Sequence, residues 1–102
     1  VDDLATAHVA ALEKLQLGTQ LKLNLGTGHG ASVQEVIDLC REVTGRDIAT
    51  RAVARREGDP PVLVADASAA QRELGWRACY SMREIIESAW AWHSKHPCGY
   101  GD

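Results

Sequence analysis

Residues 21–35 read LKLNLGTGHGASVQE, and this stretch decides the fold class. Apolar and polar residues alternate strictly over its first five positions, which predicts a β-strand. The glycine-rich residues 26–30 predict a turn. Ser32 is followed three residues later by Glu35, a capping box that predicts the start of a helix. A strand, a turn and a helix in this order predict an α/β protein.

Further helices and short extended segments are predicted on both sides of this stretch. Capping residues, apolar faces and terminal glycines place helices at about residues 3–15, 33–44, 68–74 and 82–93. Asp2 or Asp3 is expected to cap the first helix, and Asp66 or Ser68 the third. A weaker extended segment is predicted at residues 48–53 and a brief one at residues 62–64. The predicted fold class is α/β, with at least four helices and few short strands.

The composition is that of an ordinary soluble protein and argues against several classes. The chain has 102 residues, one domain's length at most, and its net charge of −3 gives no electrostatic basis for binding nucleic acid. No apolar run approaches the ~20 residues of a membrane span, and no signal segment opens the sequence. The three cysteines form no paired motif, so we expect a reduced, cytoplasmic protein. Because the sequence opens on a helix start without methionine, we expect it to come from a longer protein.

The glycines of residues 26–31 fit the dinucleotide-binding pattern G-x-G-x-x-G/A. Asp47 follows about 20 residues later, at the spacing where that pattern places an acidic residue. In the dinucleotide pattern the acid ends the second strand, whereas Asp47 precedes the second extended segment. We therefore interpret the glycines as a flexible turn and assign no cofactor-binding residue.

No catalytic or metal-ligating residue is predicted within the sequence. Neither Tyr80 nor Tyr100 is followed by lysine four positions later, so the chain has no Tyr-x-x-x-Lys pair in which lysine lowers the pKa of a tyrosine base. The four histidines show no spacing typical of metal ligands. Tyrosine-based proton transfer and metal catalysis therefore have no candidate here.

Three tryptophans, Trp76, Trp90 and Trp92, allow two interpretations. They could form a platform that stacks on a sugar, or they could pack in a core or a domain interface. Trp76 follows Gly75, and an apolar residue in that position usually packs back on the helix it leaves. Packing is therefore the favoured interpretation.

Residues 55–59, RREGD, are the one cluster with a clear binding chemistry. A guanidinium offers a planar fork of donors that matches phosphate oxygens, and a nearby carboxylate can accept from sugar hydroxyls. Gly58 lets the backbone turn so that both kinds of side chain face one ligand. The alternative is a solvated loop whose charges form internal ion pairs, and the sequence favours neither.

Taken together, these segments resemble UDP-glucose 4-epimerases of the extended short-chain dehydrogenase/reductase superfamily. The resemblance covers essentially the whole chain in the right order. The RREGD turn and the aromatic tail are its more specific parts. Its stretches are VDDLA at residues 1–5, NLGTG at 24–28, SVQEVI at 32–37, RREGDP at 55–60, ADAS at 65–68, ELGW at 73–76, WAWH at 90–93, HP at 96–97 and GY at 99–100.

The resemblance implies the carboxy-terminal, substrate-binding part of an extended short-chain dehydrogenase fold, without its Rossmann half. Residues 1–31 would end the NAD-binding domain, and residues 32–102 would form the UDP-sugar-binding domain. NAD and the catalytic tyrosine and lysine would belong to the amino-terminal part. The full-length protein would then be an isomerase, a homodimer that interconverts UDP-glucose and UDP-galactose by hydride transfer at C4. This part would be inactive alone.

The resemblance also assigns substrate-binding residues by position. Arg56 would contact the diphosphate and Asp59 the uridine ribose. Val33 would line the nucleotide pocket, and Leu63 would stand where the family limits the size of the sugar at C2. Two alternatives stay open: a related epimerase acting on a UDP-uronate, UDP-pentose or UDP-N-acetylhexosamine, and a binding module without catalysis.

Overall fold

The computed structural model describes residues 1–101. These residues form two compact units. The first unit comprises Val1–Gly30 and Val62–Tyr80, and the second comprises Ala31–Pro61 and the residues from Ser81 onward. The junction after Gly30 lies beside the predicted boundary at residue 31, whereas residues 62–80 join the first unit. In the first unit, helices α1 and α3 pack together, and in the second, helices α2 and α4 do so. Their bounds are α1 Asp2–Lys14, α2 Val33–Thr44, α3 Ser68–Leu74 and α4 Met82–Lys95.

The serines of the two predicted capping boxes begin two of these helices, and one of the boxes is complete. Ser32 Oγ accepts from the backbone N–H of Glu35 at 3.0 Å at the start of α2. At α4 both halves of the box form, because Ser81 Oγ accepts from the Glu84 amide while the Glu84 carboxylate accepts from the Ser81 amide. These contacts satisfy amides that have no partner inside the helix. The helix starts predicted at residues 32 and 81 are confirmed.

The predicted cap of α1 is wrong. The N-cap residue is Val1, and neither aspartate caps the helix with its side chain. Asp2 and Asp3 lie inside the first turn, where a negative charge is favourable beside the positive end of the helix dipole. The predicted cap of α3 is also wrong, because the N-cap residue is Ala67 and Ser68 is the first residue of the helix. Asp66, one residue before the cap, nevertheless accepts through Oδ1 from the Ser68 amide at 3.0 Å.

The predicted strands do not form among residues 1–101, which contain helices, turns and irregular segments. Residues 21–25 nevertheless keep the burial pattern of a strand, with the three leucines half-buried and Lys22 and Asn24 exposed. A strand is completed by hydrogen bonds to a neighbouring strand, and no described segment supplies one. The alternating sequence therefore sets which side chains face inward without producing a sheet here.

The first unit has a small core made by α1, α3 and the residue that follows the α3 cap. Ala7 and Ala70 are buried with 2% and 0% of their surface exposed, and their small size allows the two helices to approach closely. Trp76 is 6% exposed, and its Nε1–H donates to the Asp3 carbonyl at 3.0 Å and to Thr6 Oγ1 at 3.1 Å. This confirms the packing interpretation for Trp76. Half-buried apolar residues surround the three: Leu23, Leu25, Ala67, Leu74 and Ala78.

Asp3 joins the start of α1 to the segment that follows Trp76. Its carboxylate oxygens accept from the Cys79 amide at 3.0 Å and 3.1 Å, and Oδ2 also accepts from the Tyr80 amide at 3.1 Å. Two amides outside any helix thereby gain a charged acceptor. The Asp3 carboxylate is thus directed toward residues 79 and 80 instead of capping its own helix.

Replacing Asp3 with alanine is expected to lower the free energy of unfolding by about 1.5–3 kcal/mol, the usual range for hydrogen bonds to a charged group. Asp2→Ala is the matched control, because Asp2 has the same place in the helix dipole and no side-chain hydrogen bond is found for it within residues 1–101. Thermal unfolding measures stability, and hydrogen exchange at the Cys79 and Tyr80 amides locates the loss. Equal effects of the two substitutions would contradict this role of Asp3.

In the second unit, side chains of the two helices also make contacts at the surface. Arg83 of α4 binds Glu42 of α2 at 3.1 Å and Glu87 of its own helix at 3.0 Å. The hydrogen bond with Glu42 raises the pKa of the Arg83 guanidinium above its usual value. Arg46, just beyond α2, lies over the ring of Trp90 with its guanidinium carbon 5.3 Å from the ring centre, a cation–π contact. Across the described chain, no helix has the length and apolar character needed to cross a membrane.

Candidate functional site

The charged cluster of residues 55–59 forms a tight turn in the second unit. The Asp59 amide donates to the Arg56 carbonyl at 3.3 Å, which closes a turn from Arg56 to Asp59. Gly58, the third residue of this turn, has φ of 85°, a left-handed backbone conformation that residues with a Cβ rarely adopt. The turn therefore requires the glycine, and it brings the first and last side chains to the same place.

These two side chains, Arg56 and Asp59, form an ion pair. Arg56 Nε lies 3.0 Å from Asp59 Oδ2. The arginine side chain is 87% exposed and the aspartate side chain 41%, so both can be reached from solvent. The structure thus contains the internal ion pair that the sequence left as one alternative. The other alternative, ligand binding, stays available because the pair uses only one nitrogen of the guanidinium.

Val33 and Leu63 have different surroundings from this pair. Val33 is the first residue of α2, belongs to the same unit as Arg56, and is 78% exposed. Leu63 belongs to the first unit, and it too is largely exposed. Of the four residues assigned by resemblance, Arg56 and Asp59 are the two seen in direct contact. The parts assigned to Val33 and Leu63 stay predictions.

The glycine turn after residue 25 is explained by packing within the first unit. A Cβ added to Gly26 would lie 2.8 Å from the Cβ of Ala65, closer than such atoms come in proteins. A Cβ added to Gly30 would lie 2.9 Å from a methyl carbon of Val64. These glycines allow the turn to approach residues 64 and 65, and this accounts for them without a bound dinucleotide.

Beside this turn lies an open cavity of about 440 Å³ that the sequence did not predict. Asp66 contributes a carboxylate, and hydrogen bonds from the Ser68 amide and hydroxyl hold the pKa of that carboxyl below its usual value. Gln71 and Arg77 add further polar groups, and Trp76 adds an aromatic edge. The cavity joins segments far apart in the sequence, so no local motif indicates it. The rest of its lining is Gly26, Thr27, Gly28, Val64, Ala65, Ala67, Ser68 and Ala78.

A second, apolar depression of about 200 Å³ lies on the same unit, beside α1. His8 is the one ionisable residue among those that line it, and its Nδ1 lies 2.6 Å from the Leu4 carbonyl of the same helix. This contact is a local one within α1, and the other lining residues have apolar side chains. The other lining residues are Ala7, Ala11, Leu15, Leu21, Leu23, Leu25 and Leu74.

Comparison with known proteins gives a consistent result. No protein-family model matches the chain. A UDP-glucose 4-epimerase from Halalkalibacterium halodurans is 48% identical over 102 residues, which cover 98% of this chain and 30% of that protein. The structure of UDP-glucose 4-epimerase from Bifidobacterium longum in complex with NAD+ and UDP matches with a TM-score of 0.84 and 40% identity, covering 96% of this chain and 29% of that one. The Stenotrophomonas maltophila enzyme with bound NAD and formylated UDP-arabinopyranose matches with a TM-score of 0.81 and 43% identity, over 93% and 29%.

The chain therefore spans about 30% of the length of the relatives that it matches. Within that span the likeness is nearly continuous in both sequence and backbone. Those relatives are named UDP-glucose 4-epimerases, and two of the matched structures contain NAD with UDP or a UDP-linked sugar. Over nearly its whole length, the chain is thus homologous to one segment of the UDP-glucose 4-epimerases.

Proposed function

We propose that this chain is part of a UDP-glucose 4-epimerase, in which it contributes to binding the UDP-sugar. The reaction would interconvert UDP-glucose and UDP-galactose at C4. The observation that carries the proposal is the likeness to UDP-glucose 4-epimerases over 93–98% of the chain, at 40–48% identity for the relatives compared above. The Arg56–Asp59 turn supplies groups suited to a nucleoside diphosphate.

Within this proposal, the chain holds the nucleotide part of the substrate. The exposed guanidinium of Arg56 offers planar N–H donors to the diphosphate, and the Asp59 carboxylate accepts from ribose hydroxyls. These contacts are remote from C4, so they act equally before and during the reaction. They position the sugar without stabilising the transition state of the chemical step. Val33 would line the nucleotide pocket, and Leu63 would limit the space at C2.

We infer that this chain supplies no residue that binds NAD. The glycine turn at residues 26–30 packs against residues 64 and 65, and the sequence contains no Tyr-x-x-x-Lys pair. NAD, which supplies the hydride acceptor when bound, is therefore assigned to other parts of the protein. Residues 1–31 would end the NAD-binding domain and residues 32–102 would bind the UDP-sugar. The full-length protein would be a cytoplasmic homodimer.

A product assay on the full-length protein tests this function. Purified protein supplied with NAD is incubated with UDP-glucose, and the nucleotide sugars are separated by chromatography. The expected result is a mixture of UDP-glucose and UDP-galactose, reached from either side. The same assay with UDP-N-acetylglucosamine, UDP-xylose and UDP-glucuronate identifies a related epimerase, which would show higher kcat/KM for one of these sugars.

The second candidate is a binding module without catalysis, which the lack of the Tyr-x-x-x-Lys pair favours. Calorimetry with UDP on the same preparation distinguishes it. Binding of UDP with no turnover of any sugar in the panel would establish the module and rule out the epimerase. Turnover of UDP-glucose would do the reverse.

A further inference from the structure

The ion pair between Arg56 and Asp59 uses one particular edge of the guanidinium. Asp59 Oδ2 accepts from Nε at 3.0 Å, and that is the one hydrogen bond found for the Arg56 side chain within the described part of the protein. The two terminal nitrogens, Nη1 and Nη2, are therefore not engaged by residues 1–101. The side chain is 87% exposed, so these nitrogens are open to a ligand.

A guanidinium carries five N–H groups in a rigid plane, and two of them can bind one phosphate through parallel hydrogen bonds. The edge formed by Nη1 and Nη2 is one that can do so. An acceptor fixed on Nε leaves that edge free and also limits rotation of the long arginine side chain. The contact thus restricts the guanidinium without blocking its terminal nitrogens.

The backbone conformation of the turn brings the side chains of its first and fourth residues into this contact. The left-handed Gly58 and the hydrogen bond from the Asp59 amide to the Arg56 carbonyl bring those two side chains together. Glu57, between them, forms no ion pair among residues 1–101. A carboxylate in the same loop, one residue before Gly58, thus provides a natural comparison for the effect of charge alone.

We propose that Asp59 is a positioning residue for Arg56, which it holds through Nε so that Nη1 and Nη2 meet the diphosphate of the UDP-sugar. This inference rests on the proposed function and deepens it, because it gives Asp59 a role beyond contact with the ribose. Exposed ion pairs contribute little to folding stability, so the effect is expected in binding. Ordering one long side chain in advance corresponds to about a twofold to tenfold gain in affinity.

A double-mutant cycle on the full-length protein tests the inference. UDP affinity is measured by calorimetry for the unchanged protein, Asp59→Ala, Arg56→Ala and the double variant, with circular dichroism confirming that each is folded. If Asp59 acts through Arg56, Asp59→Ala weakens UDP binding in the unchanged protein by about twofold to tenfold more than it does in the Arg56→Ala background. Asp59→Asn, which keeps an oxygen acceptor for Nε, is expected to retain part of the affinity.

Three results would overturn the proposal. Equal losses in both backgrounds would mean that Asp59 contacts the ribose independently of Arg56. Tighter binding by Asp59→Ala would mean that the ion pair competes with the ligand. Glu57→Gln removes the same charge from the same loop without removing the pair, so a loss of affinity equal to that of Asp59→Ala would also contradict positioning. Failure of the unchanged protein to bind UDP would instead refute the proposed function, and this inference with it.

Discussion

Replacing Trp76 with alanine is expected to lower the free energy of unfolding of the first unit by about 3–5 kcal/mol, the usual cost of truncating a buried tryptophan to alanine. Trp76 is the one large side chain in a core whose other buried members are Ala7 and Ala70. Alanines on both sides have few atoms with which to fill the space that the indole leaves. The loss of packing is therefore expected to be near the upper part of that range.

The measurement is hydrogen exchange at the amides of α1 and α3, which reports the stability of this unit locally. Trp76→Phe separates two contributions, because it keeps an aromatic ring but removes the N–H that donates to the Asp3 carbonyl and Thr6. It should cost clearly less than the alanine variant. Leu17→Ala is the surface control in the same unit, since Leu17 is fully exposed and its truncation is expected to change stability by less than about 0.5 kcal/mol. Equal effects at the two positions would contradict the packing role.

Features set by neighbouring residues could be predicted from the sequence. The starts of α2 and α4 depend on Ser32 and Ser81, each of which bonds an amide three positions later. The ends of α2 and α3 depend on glycines in the left-handed conformation, Gly45 with φ of 66° and Gly75 with φ of 65°. Such contacts need no information about the rest of the fold, so local rules suffice.

Features that depend on distant residues could not be predicted in the same way. Asp3 reads as a helix cap, yet its carboxylate binds the amides of residues 79 and 80. The turn at Gly26 reads as a dinucleotide loop or a flexible turn, whereas its close approach to Ala65 is what requires glycine. The alternating residues 21–25 read as a strand, but pairing depends on a partner that the described residues do not supply. For Asp3 and Gly26 the decisive neighbour lies far along the chain, where no local pattern indicates it.

The candidate site shows the same division. The pairing of Arg56 with Asp59 follows from a glycine at the third position of a four-residue turn, which is a local signal. Its use in holding a diphosphate was predicted by resemblance, because chemistry alone allowed either a ligand or an internal ion pair. No sequence motif predicts the cavity lined by Asp66 and Arg77, since its walls come from separate segments of the first unit.

Arg56→Ala is expected to weaken UDP binding to the full-length protein by about 1.5–3 kcal/mol, which corresponds to roughly 10-fold to 150-fold in affinity. The loss has a simple physical origin, because a guanidinium donates charge-assisted hydrogen bonds to phosphate oxygens and alanine donates none. Stability should change little, since the side chain is 87% exposed and its one ion pair lies at the surface. Calorimetry of UDP binding measures the first effect and thermal unfolding the second.

Two controls decide whether the loss reflects a phosphate contact. Arg55→Ala removes the same charge from the adjacent position. If Arg56 acted only by general electrostatic attraction, both variants would lose UDP affinity equally. If Arg56 contacts the phosphate directly, Arg56→Ala binds UDP much more weakly than Arg55→Ala. Uridine carries the base and ribose without phosphate, so the Arg56→Ala substitution should leave its affinity nearly unchanged. An equal loss for uridine and UDP would place Arg56 at the nucleoside, and an unchanged affinity for UDP would exclude it from the site. A direct phosphate contact predicts that affinity is lost for UDP and not for uridine, and in Arg56→Ala and not in Arg55→Ala. This result would agree with an exposed guanidinium whose terminal nitrogens are not engaged within the described chain.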